Sequence, residues 1–308
     1  VVDQGSLASL AGFLEATVRI ATPLGLAALG ETVTERSGVI NIGLEGSMLG
    51  GALAAAMAAH WTGSPWAGVF AGWLAGAAIA AIFAVFTIGL RGDQIVVGTA
   101  ITLASVGATG AIYRAAFGVT GTALSLPTLA PLGVPGLESI PVVGVALFRQ
   151  SVPTCLLYVA AAAIWALFAR TQLGLAIRAA GESPSAAQAA GLQVARLRFG
   201  ATLFGGGMAG LAGATLVLAQ AGTFAERMTA GRGFVAIAIV VLGRWRPLGV
   251  FAAALLFGAA SALEFAFQAI GFNVPYQFFL MAPYVVSLLA LAGVFGRAQA
   301  PEALGRNT

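Results

Sequence analysis

Apolar residues run along the chain in blocks of about 20, separated by polar, glycine-rich or proline-rich breaks, and about 20 is the number a helix needs to cross a hydrocarbon core. Nine blocks can be read, roughly 9–31, 44–61, 66–90, 94–117, 152–169, 200–220, 234–243, 249–271 and 276–296. None shows the strand-like alternation of an outer-membrane barrel. The pattern predicts an all-α polytopic membrane protein, one transmembrane domain over 1–308, with about 8–10 membrane helices. The seventh block is short for a full span, so broken or re-entrant segments are expected.

Glycines recur every four positions at Gly68, Gly72 and Gly76, and again at Gly206 and Gly210. Such faces let membrane helices pack closely. The stretches 29–43 and 220–238 each set a Glu-Arg pair and glycines between two apolar blocks, five blocks apart. An odd offset inverts one copy relative to the other, which makes them a candidate inverted internal repeat.

Composition supports the membrane reading. The chain is 59% hydrophobic and 8% charged, against roughly 25% charged in soluble domains. All fifteen basic residues are arginine. Without lysine there is no Walker A loop and no Schiff base. One histidine, His60, and one cysteine, Cys155, leave no internal disulfide and no His/Cys metal cluster. No G-x-S-x-G nucleophile elbow is present. The net charge of +4 comes with no basic cluster, so nucleic acid is not an expected partner. Residues 1–10 carry no basic n-region of a signal peptide.

Arginines collect in cytoplasmic loops. With the C-terminus inside, ten of the fifteen (Arg36, Arg91, Arg170, Arg178, Arg196, Arg198, Arg244, Arg246, Arg297 and Arg306) fall on the cytoplasmic side. An odd helix count then puts the N-terminus outside. The segment 119–151, with Pro127, Pro131, Pro135 and Pro141, reads as an extracytoplasmic loop. The segment 171–199 is cytoplasmic. In it, RAAGESPSAAQAAG (178–191) predicts a helix of about seven residues, roughly 10 Å long. Ser183 suits the N-cap, Pro184 the first helical position, Glu182 the helix start and Gly191 the end. Such a helix cannot stand alone. Its smooth face of alanines with Gln188 suits a groove in another protein.

This segment resembles the coupling-helix region of bacterial ABC-transporter permeases of the branched-chain amino acid and simple-sugar class. The matched pattern is Ala180, Gly181, Glu182, Ala186, Ala187 and Gly191. ALGETVTERSGVINIGLEGSMLGGA (28–52) is similar to the signature of nucleoside-type members. DQIVVGTAIT (93–102) and TAGRGFVAIAIVVLGRWRPLG (229–249) match their remaining stretches, in order. The resemblance implies a permease subunit of the bacterial cytoplasmic membrane, paired with a sister permease or a second copy. ATP and Mg²⁺ would be bound by separate ATP-binding cassette subunits docked on the coupling helices, with no cofactor in this chain. An extracytoplasmic binding protein would deliver a nucleoside or, in relatives, a simple sugar.

Polar residues inside a membrane are functional candidates, and broken helices are tolerated where they line a cavity. Asn41, between Gly38 and Gly43, fits a substrate path, as do Gln94 at a helix entrance and Thr99 and Thr102 beyond it. Phe234 could stack on a base. Glu45 either caps the helix that follows, pairs with Arg36 or touches substrate. Glu264, four residues before Gln268, is an interhelix contact or faces the path. Arg227 and Arg232 meet the binding protein or are solvated loop charges. Glu35, Arg36 and Ser37 read as a charged cytoplasmic or interfacial turn. The expected coupling set is Gly181, Glu182, Ser183, Pro184, Ala186, Ala187, Gln188 and Gly191. An ion-coupled secondary transporter, a membrane-embedded enzyme and a structural scaffold are the rival readings. The short coupling helix, the lack of catalytic residues and the glycine-broken polar segments argue against them in turn.

Overall fold

A computed structural model of the chain describes residues 4–118, 125–133, 144, 147, 149–269, 281, 285 and 300–306, with side chains 4–9, 149 and 264–269 excepted. The described residues form ten α-helices: α1 (Gln4–Arg36), α2 (Leu44–Thr62), α3 (Pro65–Ala84), α4 (Gln94–Phe117), α5 (Val152–Arg170), α6 (Gln172–Glu182), α7 (Pro184–Ala189), α8 (Val194–Thr215), α9 (Arg232–Leu242) and α10 (Pro247–Ala269). One π turn extends α3 over Val85–Gly89 and another extends α8 over Leu216–Ala221.

Five stretches are long and apolar enough to cross a membrane: Leu10–Arg36, Pro65–Gly89, Gln94–Phe117, Val152–Arg170 and Val194–Ala221. The protein is an all-α polytopic membrane protein. The short seventh block is the 11-residue α9, about 16 Å long and thus a half-crossing. The ninth block, 276–296, lies outside the described residues apart from two isolated positions.

α1 begins at Gln4, ahead of the first apolar block. One expectation is corrected. Glu35 and Arg36 are the last residues of α1, not part of a turn, and Glu35 is buried. A carboxylate read as part of a turn is therefore an interior group, held by the Trp245 indole N–H from the turn after α9.

α1 and α8 run antiparallel. Near one end Gln220 donates to the Arg19 carbonyl at 2.6 Å. Near the other, the Thr34 hydroxyl donates to the Ala201 carbonyl at 3.2 Å. The tail at 301–306 sits at the Arg36 end, where the N–H of Ala303 meets the carbonyl of Gly181 at 2.9 Å. The start of α1 is at the opposite end.

The glycines spaced by four face one another. A Cβ on Gly210 would stand 2.1 Å from the Gly72 carbonyl oxygen, and one on Gly76 2.3 Å from that of Gly206. α3 and α8 therefore pack backbone to backbone. α2 joins them through Gly51, whose added Cβ would lie 2.4 Å from the Gly210 Cα. Close packing here replaces the hydrophobic drive that lipid does not supply. It also places α2, buried along its first turns, inside the bundle.

The loop 119–151 is extended in part. Residues 131–133 pair antiparallel with 149–151. Ahead of that ribbon, the amides of Leu126 and Leu129 bond the carbonyls of Gly222 and Leu218 at the far end of α8.

Candidate functional site

Between α1 and α2 the chain leaves helical geometry over residues 37–43. An interior break must have its backbone groups satisfied by protein, and four of the side-chain partners here come from α1, α4 and α8. The Ile40 N–H donates to Gln94 Oε1 at 2.8 Å. The Asn41 N–H donates to Glu31 Oε1 at 2.8 Å. The Ile42 carbonyl accepts from the Thr102 hydroxyl at 3.3 Å. The Ser37 carbonyl accepts from Arg198 Nε at 3.1 Å.

The spacing of DQIVVGTAIT follows from this. Gln94, Gly98 and Thr102 are four apart and share one face of α4. The two polar side chains bracket the break, and Gly98 lets it approach: a Cβ there would stand 2.6 Å from that of Ile42. Asp93 starts the helix, accepting from the amides of Ile95 and Val96 at 2.9 Å. Thr99 lies off this face, exposed, its hydroxyl on the Ile95 carbonyl.

Asn41 itself is fully buried, and neither its amide oxygen nor its nitrogen has a protein partner. Nearby polar atoms are also unmatched: Glu31 Oε2, Glu35 Oε1 and Ser47 Oγ. Buried polar groups are normally paired. These unmatched atoms lie along the α1–break–α2 path.

A second break precedes α9, over residues 222–231. Glu45, in the first turn of α2, reaches across to it. Its Oε1 accepts from the Thr229 hydroxyl at 2.6 Å and the Gly231 N–H at 2.8 Å. Its Oε2 accepts from the Gly233 N–H at 2.7 Å. Glu45 therefore caps α9 rather than its own helix and does not pair with Arg36. A Cβ on Gly233 would lie 2.6 Å from the Glu45 Cα, so the two helix starts touch. The segment they close is strained: Arg227 and Ala230 have φ of 58° and 47°, in a region that non-glycine residues rarely adopt. Phe234, one turn on, is 46% exposed. Glu226 leaves the segment to pair with Arg114 at 2.6 Å. Glu264 stands on α10, its side chain outside the described residues.

The segment 171–199 reaches the first break from the Arg36 end. α7 spans six residues and leads to Gly191 at φ 85°. Ser183 occupies the N-cap position without a side-chain bond, so its hydroxyl does not cap. Ser185, Ala186, Gln188 and Ala189 are exposed and Ala187 is buried. Gly181 ends α6 against the turn after α1: a Cβ there would stand 2.2 Å from the Arg36 carbonyl oxygen. Arg36 Nη1 is 4.0 Å from Glu182 Oε1, and Arg36 Nε donates to the Trp245 carbonyl at 2.9 Å. The Trp245 indole N–H donates to Glu35 Oε2. The tail adds a strap, with Gly305 N–H on the Gly38 carbonyl at 3.2 Å alongside the Ala303–Gly181 bond.

Four motifs scattered over the sequence thus meet at one place. Sequence reading missed Glu31, Arg198, Thr229 and Trp245. Glu31 and Glu35 carried a signal, since two carboxylates four apart on one face of an apolar helix are costly. The other three are legible only through the contacts.

A half-helix and two facing helix starts thus meet inside a polytopic membrane protein. The description "Branched-chain amino acid transport system / permease component" matches residues 13–295, and the chain belongs to that family. It is 38% identical over 299 residues to the guanosine ABC transporter permease protein NupQ of Bacillus subtilis, covering 94% of each chain. It is 36% identical to the nucleoside ABC transporter permease protein NupC of Lactococcus lactis, covering 93% of each. It is 33% identical to the glucose ABC transporter permease protein TsgB13 of Haloferax volcanii, covering 85% of this chain and 72% of that one. No solved structure matches it.

Proposed function

We propose that this permease imports nucleosides across the bacterial cytoplasmic membrane, with its C-terminus in the cytoplasm. The observation that carries the reading is the convergence at the first break. Asn41 offers an unpaired buried amide able both to donate to and accept from a base or ribose. Gly181, just ahead of α7, abuts the same break. The nucleoside permeases NupQ and NupC match nearly the whole chain.

In this reading, separate ATP-binding cassette subunits bind ATP and Mg²⁺ and seat on the exposed face of α7. A second permease, favoured as a non-identical sister, completes the path. An extracytoplasmic binding protein delivers substrate, and lipid surrounds the assembly. Closure of the ATPases moves α7. The contact of Gly181 with the turn after α1 passes that movement to the break, and the pair of permeases shifts between outward and inward access.

Uptake of labelled nucleosides and sugars in cells expressing the whole complex tests this. Saturable nucleoside uptake, lowered by Asn41→Ala and lost when the ATPase is omitted, is expected. The glucose permease TsgB13 among the relatives supports a sugar as the second reading. Saturable sugar uptake with no competition from nucleosides would replace the first reading by the second. Uptake without the ATPase would leave an ion-driven carrier instead.

A further inference from the structure

At the Arg36 end, α5, α6 and the turn from α9 into α10 enclose a cavity of about 730 Å³. Arg36, Arg178, Arg244 and Arg246 line it, together with Trp165 and Trp245, and no carboxylate is among its lining residues. Arg36 is engaged by the Trp245 carbonyl and stands 4.0 Å from Glu182. Arg178 keeps a buried Nε without a hydrogen-bond partner. The first turn of α10, Pro247 to Gly249, forms part of the wall, and a helix N-terminus favours an anion. The turn is strained to this shape: Arg244 and Trp245 take φ of 58° and 53°, which directs the indole inward onto Glu35.

We propose that this cavity binds the phosphate headgroup of an anionic phospholipid. Guanidinium groups suit a phosphate diester because they present paired donors to its oxygens. The rim is apolar, as acyl chains require. Trp165 on α5 and Leu248 on α10 border the cavity and are well exposed. The Arg170 guanidinium lies 5.5 Å from the Trp165 ring centroid. Exposed tryptophan beside arginine at a helix end marks the headgroup level of a membrane. Basic pockets between membrane helices at the cytoplasmic level are suited to acidic headgroups. An acidic side chain of a docked ATPase subunit is the less favoured occupant, since no residue of α7 lines the cavity. A bound headgroup would brace the Trp245 turn that holds Glu35 and Arg36, and through them the first break.

Native mass spectrometry of the full-length chain, purified with its partner subunits, tests this. Phosphatidylglycerol and phosphatidylcholine of matched acyl chains are offered at equal concentration. The unmodified protein is expected to retain phosphatidylglycerol roughly tenfold over phosphatidylcholine, and Arg178→Gln with Arg246→Gln to remove that preference. Arg196→Gln, a substitution outside the cavity, should leave it unchanged. The headgroup comparison on the unmodified protein stands even if the double variant does not fold. Equal retention of the two lipids overturns the proposal. Displacement of phosphatidylglycerol by equimolar inorganic phosphate overturns it in favour of a free-anion site. Loss of the ATPase subunits from the double variant with its lipid preference intact overturns it in favour of subunit docking.

Discussion

Glu45→Gln isolates what one carboxylate does where two helices begin. Glu45 accepts three hydrogen bonds, from Thr229, Gly231 and Gly233, all in the first turn of α9 or just before it. Glutamine keeps the length of the side chain and one acceptor oxygen. Its amide nitrogen must then face a donor. If the nitrogen takes the Oε2 position, it opposes the Gly233 N–H. If it takes the Oε1 position, it opposes both the Gly231 N–H and the Thr229 hydroxyl. The first arrangement is milder and leaves one buried donor unsatisfied, at about 1–3 kcal/mol. Loss of the negative charge at the α9 N-terminus adds about 0.3–2 kcal/mol. The sum is roughly 1–5 kcal/mol, with Glu45→Ala worse because it orphans all three donors.

The assay is thermal stability of the purified complex in detergent, read as loss of the monodisperse peak, alongside uptake by cells. Stability and uptake are expected to fall together, in the order unmodified, Glu45→Gln, Glu45→Ala. A Glu45→Gln protein that matches the unmodified one in stability would refute the capping argument. Loss of uptake at full stability would instead make Glu45 a substrate contact.

Gly231→Ala and Gly233→Ala separate backbone conformation from space. Gly231 has φ 82° and open space around its added Cβ, so alanine costs about 1 kcal/mol of strain; Gly233→Ala meets the α2 backbone and should prevent stable expression, both read by thermal stability. Ser183→Ala should change ATPase coupling and stability by less than about 0.5 kcal/mol, because the hydroxyl makes no capping bond; a loss like that of a real cap would show that the hydroxyl is used. Removal of residues 301–308 deletes the bonds to Gly181 and Gly38. It should leave assembly intact while lowering the stimulation of ATPase activity by substrate, measured in reconstituted vesicles.

Much of this was legible in the sequence, because membrane helices announce themselves by length and apolar content. The position of α7 between Pro184 and Gly191 followed from local rules alone. So did the facing glycines of α3 and α8, since a period of four fixes a helix face without knowledge of the partner. The end of α1 was not legible. Glu31 and Glu35 look like the limit of an apolar block, yet the helix continues because Asn41 and Trp245 supply donors from distant positions. The role of Glu45 was hidden for the same reason. First-turn acidic residues usually serve their own helix, and only the approach of Gly233 shows that this one serves another.

The two breaks also bear on the suspected repeat. α1 runs toward the Arg36 end, and α2 starts from a break and runs back. α8 runs the other way, and α9 starts from a break at the far end of α8 and returns. The pairs are thus inverted copies in direction, as 29–43 and 220–238 suggested. Their helix starts meet at Glu45. The copies are unequal, however. α2 is 19 residues long and α9 only 11, so one half-helix faces a nearly full one. The first break is pinned by Gly181 of α6 and by the tail strap, and the second by Glu45. The contact between the helix starts is what ties the two breaks together.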